Sequence, residues 1–248
     1  TNNGEMERYA TPPVRQPQYV FDVKGNLMAV AGVDPKTYDV EIYIYNKNLP
    51  VEYFSRSACS GQSVDCVEAI AKKTSKLKNE NWTFWKSVAW DEELRVISYD
   101  EESNSLITVE NGEQDLSAIF KTNLKTGDRR LVYKHDTVDI GAVLVDEEGA
   151  VFGTTLMDGY LSWVFFKVEN KEKDRIKEIG AKFPGSNISI LSISDKEDKM
   201  TFTVSSDINP GIHFLFDLNS AELTPLGKFW GSIDESKLSY MEPISFNA

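Results

Sequence analysis

The 248-residue chain has few of the side chains that most often serve catalysis and metal binding, with only two histidines and two cysteines. It has no Gly-x-Ser-x-Gly nucleophile elbow, no phosphate-binding glycine loop and no dinucleotide-binding glycine pattern. No apolar run approaches the length of a membrane span. These absences argue against a catalytic site or a cofactor carried by this chain, and against a membrane-spanning protein.

Basic surface is also scarce, because the net charge is −12 and the isoelectric point is about 4.7. The two lysine-rich stretches, 72–78 and 171–177, are short and mixed with acidic residues, which is typical of a solvated surface. A nucleic-acid or membrane-surface partner would require a basic patch, so neither is expected. The acidic balance suits cationic peptides and simple solubility equally well.

The two cysteines, Cys59 and Cys66, lack the spacing of a zinc or thioredoxin motif, and no histidine lies near them. They form either a small disulfide-closed loop or two unpaired thiols, and spacing alone does not decide between them. A disulfide would indicate a periplasmic or exported protein, and free thiols a cytoplasmic one.

Short runs of β-branched and aromatic residues alternate with turn residues along the chain, which predicts an all-β fold. Aromatic strands recur at a period close to that of a propeller blade, and several turns carry an aspartate able to accept backbone amides. The sequence thus predicts a single partial β-propeller over 1–248, with about four four-stranded blades. Their expected boundaries are 18–55, 84–135, 138–181 and 187–228.

Two segments fall outside this repeat. Apolar residues in 64–79 have helical spacing, which predicts one short helical insertion between blades. Residues 229–248 are expected to be a linker that ends within a new strand.

The sequence signals for catalytic residues are weak. The segment Gly159–Trp163 has the first glycine and the serine of a nucleophile elbow but ends in tryptophan, so it is interpreted as a turn entering a strand. His135 and His213 have no activated nucleophile beside them and are interpreted as structural. The alternative to a structural role for His135 is a metal site that it forms with Asp136 and Asp139.

Adjacent carboxylates are the remaining candidates. The pairs at 92–93 and 147–148 lie in predicted turns, where exposure is the default. Glu101 and Glu102 are harder to place, and they are the candidate residues for binding the free amino group of a substrate.

The order of motifs in the second half of the chain resembles that of the prolyl oligopeptidase family of serine peptidases, particularly its acylaminoacyl-peptidase-like branch. The resemblance covers residues 84–248 closely and 18–55 more loosely. The stretches that carry it are Ala118–Gly127, Leu131–His135, Asp146–Gly149, Ile190–Asp195, Pro210–Leu218 and the exit segment Met241–Ala248.

The resemblance implies that the chain is the C-terminal part of an N-terminal β-propeller, without the α/β-hydrolase domain that carries the catalytic triad. Further blades would precede Thr1, and the hydrolase domain of the same parent chain would follow Ala248. The parent would cleave peptide or acyl-peptide bonds, while this segment would cap the cleft, admit short peptides and be inactive alone. Exposed blade edges would also allow a homo-oligomer.

Two other interpretations remain. The chain could be a stand-alone propeller-like module that binds a protein or a glycan. It could also be an unrelated β-sandwich enzyme with a carboxylate pair, although no two acidic positions can be placed on one face of a predicted strand pair.

Overall fold

The computed structural model of the chain describes residues 10–45, 81–111, 115–166, 170–194, 196 and 198–244. Antiparallel strands account for most of the secondary structure, as the alternation of β-branched and aromatic residues predicts. Neither Cys59, Cys66 nor the predicted helical insertion at 64–79 lies within the described residues.

The strands form four antiparallel sheets that follow one another along the sequence. The first contains β1 (Arg15–Phe21), β2 (Leu27–Val33), β3 (Val40–Tyr45) and β4 (Trp82–Val88). The second contains β5 (Leu94–Asp100), β6 (Ser105–Asn111), β7 (Ser117–Asn123) and β8 (Arg129–Lys134). The third has three strands, β9 (Val143–Val145), β10 (Val151–Asp158) and β11 (Tyr160–Phe165).

The fourth sheet contains β12 (Asn187–Ile193), β13 (Lys199–Ser206), β14 (Asn209–Asp217) and β15 (Leu223–Lys228). A helix, α1 (Lys171–Lys182), precedes it, and a short 3-10 helix, Glu235–Lys237, follows it. None of the helices in the described part of the chain has the length and apolarity that crossing a bilayer requires.

By its internal contacts the chain divides into two compact units. One consists of Thr1–Asp158 with Ser162–Lys167, and the other of Gly159–Leu161 with Val168–Ala248. A single domain over 1–248 stays a prediction.

Within the first unit, the second sheet is covered on both faces. Its Leu106 and Val96 pack in one buried cluster with Ile42 and Ile44 of the first sheet. Residues of its opposite face, such as Ile107, pack in another cluster with residues that include Val151 and Leu156 of β10. Consecutive antiparallel meanders that bury their faces against each other are the architecture of propeller blades. The prediction of an all-β, β-propeller-like fold is therefore confirmed.

Strand β4 differs from the sequence prediction. The predicted boundary at residue 84 places most of this strand in the second blade, 84–135. It pairs instead with β3, with Tyr43 opposite Phe84 and Tyr45 opposite Trp82. Both pairs meet edge to face, with ring centroids 5.5 and 4.9 Å apart. Aromatic cross-strand packing therefore completes the first sheet with a strand that is distant in sequence.

Helix α1 also differs from the prediction, in which the third blade consists of strands and extends to residue 181. The Asn170 side chain caps the helix by accepting the Lys173 amide at 2.8 Å. Lys173, Ile176 and Ile179 recur every three residues and form its buried face. The surrounding charged residues concealed this narrow face in the sequence.

Candidate functional site

A cavity of about 310 Å³ lies between the second and third sheets, within the first unit. This volume is at the lower end of the range for small-molecule sites, roughly 300–1,000 Å³. Its lining combines four charged side chains with an apolar wall: Asp100, Glu102, Ile107, Lys121, Arg130, Leu131, Val132, Ala150 and Val151.

Strand register builds one wall of the cavity. Ile107 on β6 lies opposite Lys121 on β7, which lies opposite Arg130 on β8. Directly opposed residues in antiparallel strands project from the same face. One aliphatic and two cationic side chains therefore form a row across the sheet.

The turn that begins at Asp146 positions the other wall. Its carboxylate accepts the Ala150 amide at 2.8 Å, which fixes the entry into β10. Ser98 on β5 donates its hydroxyl to the Gly149 carbonyl at 2.7 Å, and the Glu101 amide donates to the Glu148 carbonyl at 3.3 Å. These bonds hold the turn against the second sheet.

Asp100 and Lys121 form a buried ion pair on the cavity wall. The side chains are 2% and 16% exposed, and the Ser103 amide also donates to the carboxylate at 3.1 Å. Burial by itself raises the pKa of Asp100, but the hydrogen bonds from Lys121 and Ser103 outweigh it, and the pKa lies below its ordinary value of 3.8. The carboxylate is therefore charged at neutral pH.

This pair gives a pH-dependent contribution to stability. A carboxyl whose folded pKa is lowered stabilises the fold above its unfolded pKa, and this contribution disappears as pH falls through the folded value. We expect Asp100→Asn to lower the free energy of unfolding at pH 7 by about 1.5–3 kcal/mol, because Lys121 and the Ser103 amide lose a charged acceptor. Between pH 5 and pH 2 the free energy of unfolding of this variant should fall less than that of the unsubstituted chain. Urea denaturation at several pH values measures this. Parallel pH curves for the two proteins would contradict it.

The structure separates the two candidate carboxylates. Glu102 lies on the cavity wall. Glu102 is exposed to solvent, whereas Glu101 is half-buried and accepts a hydrogen bond from the Lys24 ammonium at 2.6 Å. Of these two glutamates, only Glu102 therefore lines the cavity and can contact a ligand there.

A second ionic cluster was not found in the sequence. Glu110, 2% exposed, accepts the Thr108 hydroxyl at 2.6 Å and an Arg129 Nη2 at 2.9 Å, and it pairs with Lys86. Burial raises the pKa of Glu110, but Lys86, Thr108 and Arg129 together lower it below its ordinary value of 4.5. The Arg129 guanidinium also lies 3.5 Å from the centroid of the Phe120 ring. Since Lys86 is on β4, this cluster joins the first two sheets.

Within the described residues, each histidine contacts a threonine side chain. His135 contacts the Thr137 hydroxyl at 3.3 Å, whereas Asp139 accepts the amide and hydroxyl of Ser117. No set of three metal-binding side chains is grouped within the described ranges. His213 contacts the Thr203 hydroxyl at 2.8 Å.

The remaining candidates have structural positions. Gly159, with φ of +78°, forms the tight turn between β10 and β11, so the partial elbow is a strand connection. Glu92 accepts the amide of Ala89, and Glu93 pairs with Arg95 at 2.6 Å.

Comparison with known proteins gives little further information. No family model matches the sequence, and no curated protein matches it. One similar solved structure is the crystal structure of TolB from Acinetobacter baumannii, with 11% identity and a TM-score of 0.46. The match covers 85% of this chain and 43% of that one, so this chain spans less than half the length of the TolB structure. The β-propeller-like assignment therefore rests on the sheets described above, and no family is assigned.

Proposed function

We propose that this chain is a non-catalytic propeller segment of a serine peptidase of the prolyl oligopeptidase family. In this role it caps the cleft of an α/β-hydrolase domain in the parent protein and restricts entry to short peptides. The parent hydrolyses peptide or acyl-peptide bonds.

The observation that supports this role is a series of blade-like antiparallel sheets, the first two of them and most of the third in one compact unit. Both histidines contact threonine hydroxyls, and in the described part of the chain neither imidazole has a serine or carboxylate partner. The ordered motifs over 84–248, which resemble those of the family, supply the identity of the catalytic partner. The net charge of −12 is compatible with attracting cationic peptides.

A fluorophosphonate probe, which labels activated serines, tests the proposal. We expect the purified 1–248 chain to remain unlabelled and to hydrolyse no N-acetylated peptide p-nitroanilide. The native gene product, captured from the source cells with an antibody against 1–248, should be labelled at a serine outside these residues. Labelling of the isolated chain, or an unlabelled native product, would overturn the proposal.

A second candidate is a stand-alone module that binds a protein or glycan. It is favoured by several large apolar side chains in the second unit that are more than half exposed: Leu226, Phe229, Trp230, Tyr240, Met241 and Ile244. Exposed apolar residues near one another in sequence are typical of interaction surfaces. An unlabelled native product with no hydrolase domain would support this candidate.

A further inference from the structure

The cavity of the first unit is bordered by two opposite charges on solvent-exposed side chains, Arg130 and Glu102. Lys121 is neutralised by Asp100. Arg130 and Glu102 line the same cavity, and within the described ranges no ion pair or hydrogen bond engages either side chain. A guanidinium and a carboxylate therefore face one small space without being paired to each other.

The strand register places the exposed Arg130 side chain beside Lys121. Arg130 lies directly opposite Lys121 on the neighbouring strand, and like charges opposed in this way destabilise a sheet. Asp100 relieves the charge of Lys121 but makes no contact with Arg130 within the described part of the chain. A ligand carboxylate would relieve the second charge, and the guanidinium geometry suits it because it can donate two parallel hydrogen bonds.

The other walls limit what accompanies this carboxylate. Ile107, Leu131 and Val151 provide an apolar surface for an aliphatic group. The carboxylates of Asp100 and Glu102 would repel a phosphate or another multiply charged anion. Glu102 can instead accept an ammonium group.

We propose that this cavity is a binding site for a free α-amino acid with an aliphatic side chain. Its carboxylate pairs with Arg130, its ammonium with Glu102, and its side chain packs against the apolar wall. The site does not depend on the proposed peptidase role, because all of its residues lie on this chain within one compact unit.

Calorimetric titration of the chain with L-leucine tests the site. We expect saturable binding, and binding at least tenfold weaker for 4-methylpentanoate, which lacks the ammonium, and for 3-methylbutylamine, which lacks the carboxylate. This ligand series uses the unsubstituted protein and so does not depend on the folding of any variant. No saturable binding of leucine, or equal affinity for either analogue, would overturn the proposal.

Substitutions locate the binding within the molecule. Arg130→Gln and Glu102→Gln should each weaken leucine binding about tenfold or more, because each removes a charge-assisted hydrogen bond. Lys125→Gln, in the exposed turn before β8, is the matched control and should leave the affinity unchanged. Circular dichroism checks that the variants fold. Leucine binding that survives both cavity substitutions would place the ligand elsewhere and refute the assignment.

Discussion

Gly149→Ala is expected to lower the free energy of unfolding by about 3 kcal/mol or more, whereas Gly25→Ala is expected to lower it by only about 1–2 kcal/mol. Both glycines have left-handed backbones, with φ of +79° and +78°. The conformational penalty on alanine is therefore the same at the two positions. Any further loss at Gly149 must come from its surroundings.

The surroundings differ sharply. A Cβ atom at Gly149 would lie 2.2 Å from the Tyr99 carbonyl oxygen, whereas a Cβ at Gly25 would meet nothing within 4 Å. The clash is with backbone at the end of β5, so no side-chain rotation can relieve it. The turn would have to leave the second sheet, and the bond from Ser98 to the Gly149 carbonyl would be lost with it.

The two turns are otherwise closely matched, which makes Gly25→Ala a strict control. In each, an aspartate carboxylate accepts the amide four residues on, at 2.7 Å for Asp22 and 2.8 Å for Asp146. In each, the glycine amide also donates to the carbonyl of that aspartate at 3.0 Å. Urea denaturation of both variants measures the difference. Equal losses would show that the Asp146 turn is not held against β5 as described.

This pair of turns also shows what sequence reasoning can reach. The local chemistry of both was predictable, because an aspartate followed by a glycine three residues later favours one kind of turn. In both turns the aspartate, Asp22 or Asp146, accepts a backbone amide, as expected of an aspartate in a turn. Tertiary packing places one glycine against a neighbouring strand and the other in open space. Nothing in either motif encodes it.

The cavity shows the same division between local and tertiary information. Glu101 and Glu102 are adjacent and chemically equivalent in sequence, but the structure sends one to Lys24 and the other to the cavity. Arg130 was not a candidate, because a single exposed arginine on a predicted strand has no distinguishing pattern. Its position beside Lys121 follows from strand register, which depends on the pairing of β7 with β8.

Tryptophans on the strands of a propeller are expected to fill the space between neighbouring blades. Trp82 and Trp85 are buried, at 1% and 3% exposure, as this interpretation requires. Trp90 and Trp230 are 73% and 55% exposed and do not follow it. Residue type predicts average burial, whereas the side on which a given strand or turn presents its side chain depends on the assembled sheets.

Lys86→Met is expected to lower the free energy of unfolding by about 3 kcal/mol, near the lower end of the range for breaking a buried ion pair. Glu110 would stay buried with its charge only partly compensated, because Thr108 and Arg129 still donate to it. Lys24→Met is the matched control, since it removes a lysine–glutamate pair whose lysine is 68% exposed. That substitution should change the free energy of unfolding far less than Lys86→Met does, because solvent screens the exposed pair.

The pH dependence of the stability loss in Lys86→Met tests whether the buried Glu110 carboxylate causes it. In the unsubstituted chain the pKa of Glu110 is lowered, so its contribution to stability is present above the ordinary value of 4.5 and is lost as pH falls through the folded value. Without Lys86 that pKa rises, since burial is less opposed. The deficit of Lys86→Met should therefore be largest near pH 7 and shrink as pH falls through the lowered folded pKa of Glu110, below which the carboxyl is protonated in both proteins.

A compensating substitution separates charge from packing. In Lys86→Met/Glu110→Leu the cluster around residue 86 no longer contains a buried carboxylate, so much of the lost stability should return. Arg129, however, then loses its acceptor. Urea denaturation of the single and double variants across pH gives the comparison. A deficit in Lys86→Met that is independent of pH, and that the second substitution does not reduce, would mean that Lys86 joins the sheets by packing. Pairing with Glu110 would then have no part in it.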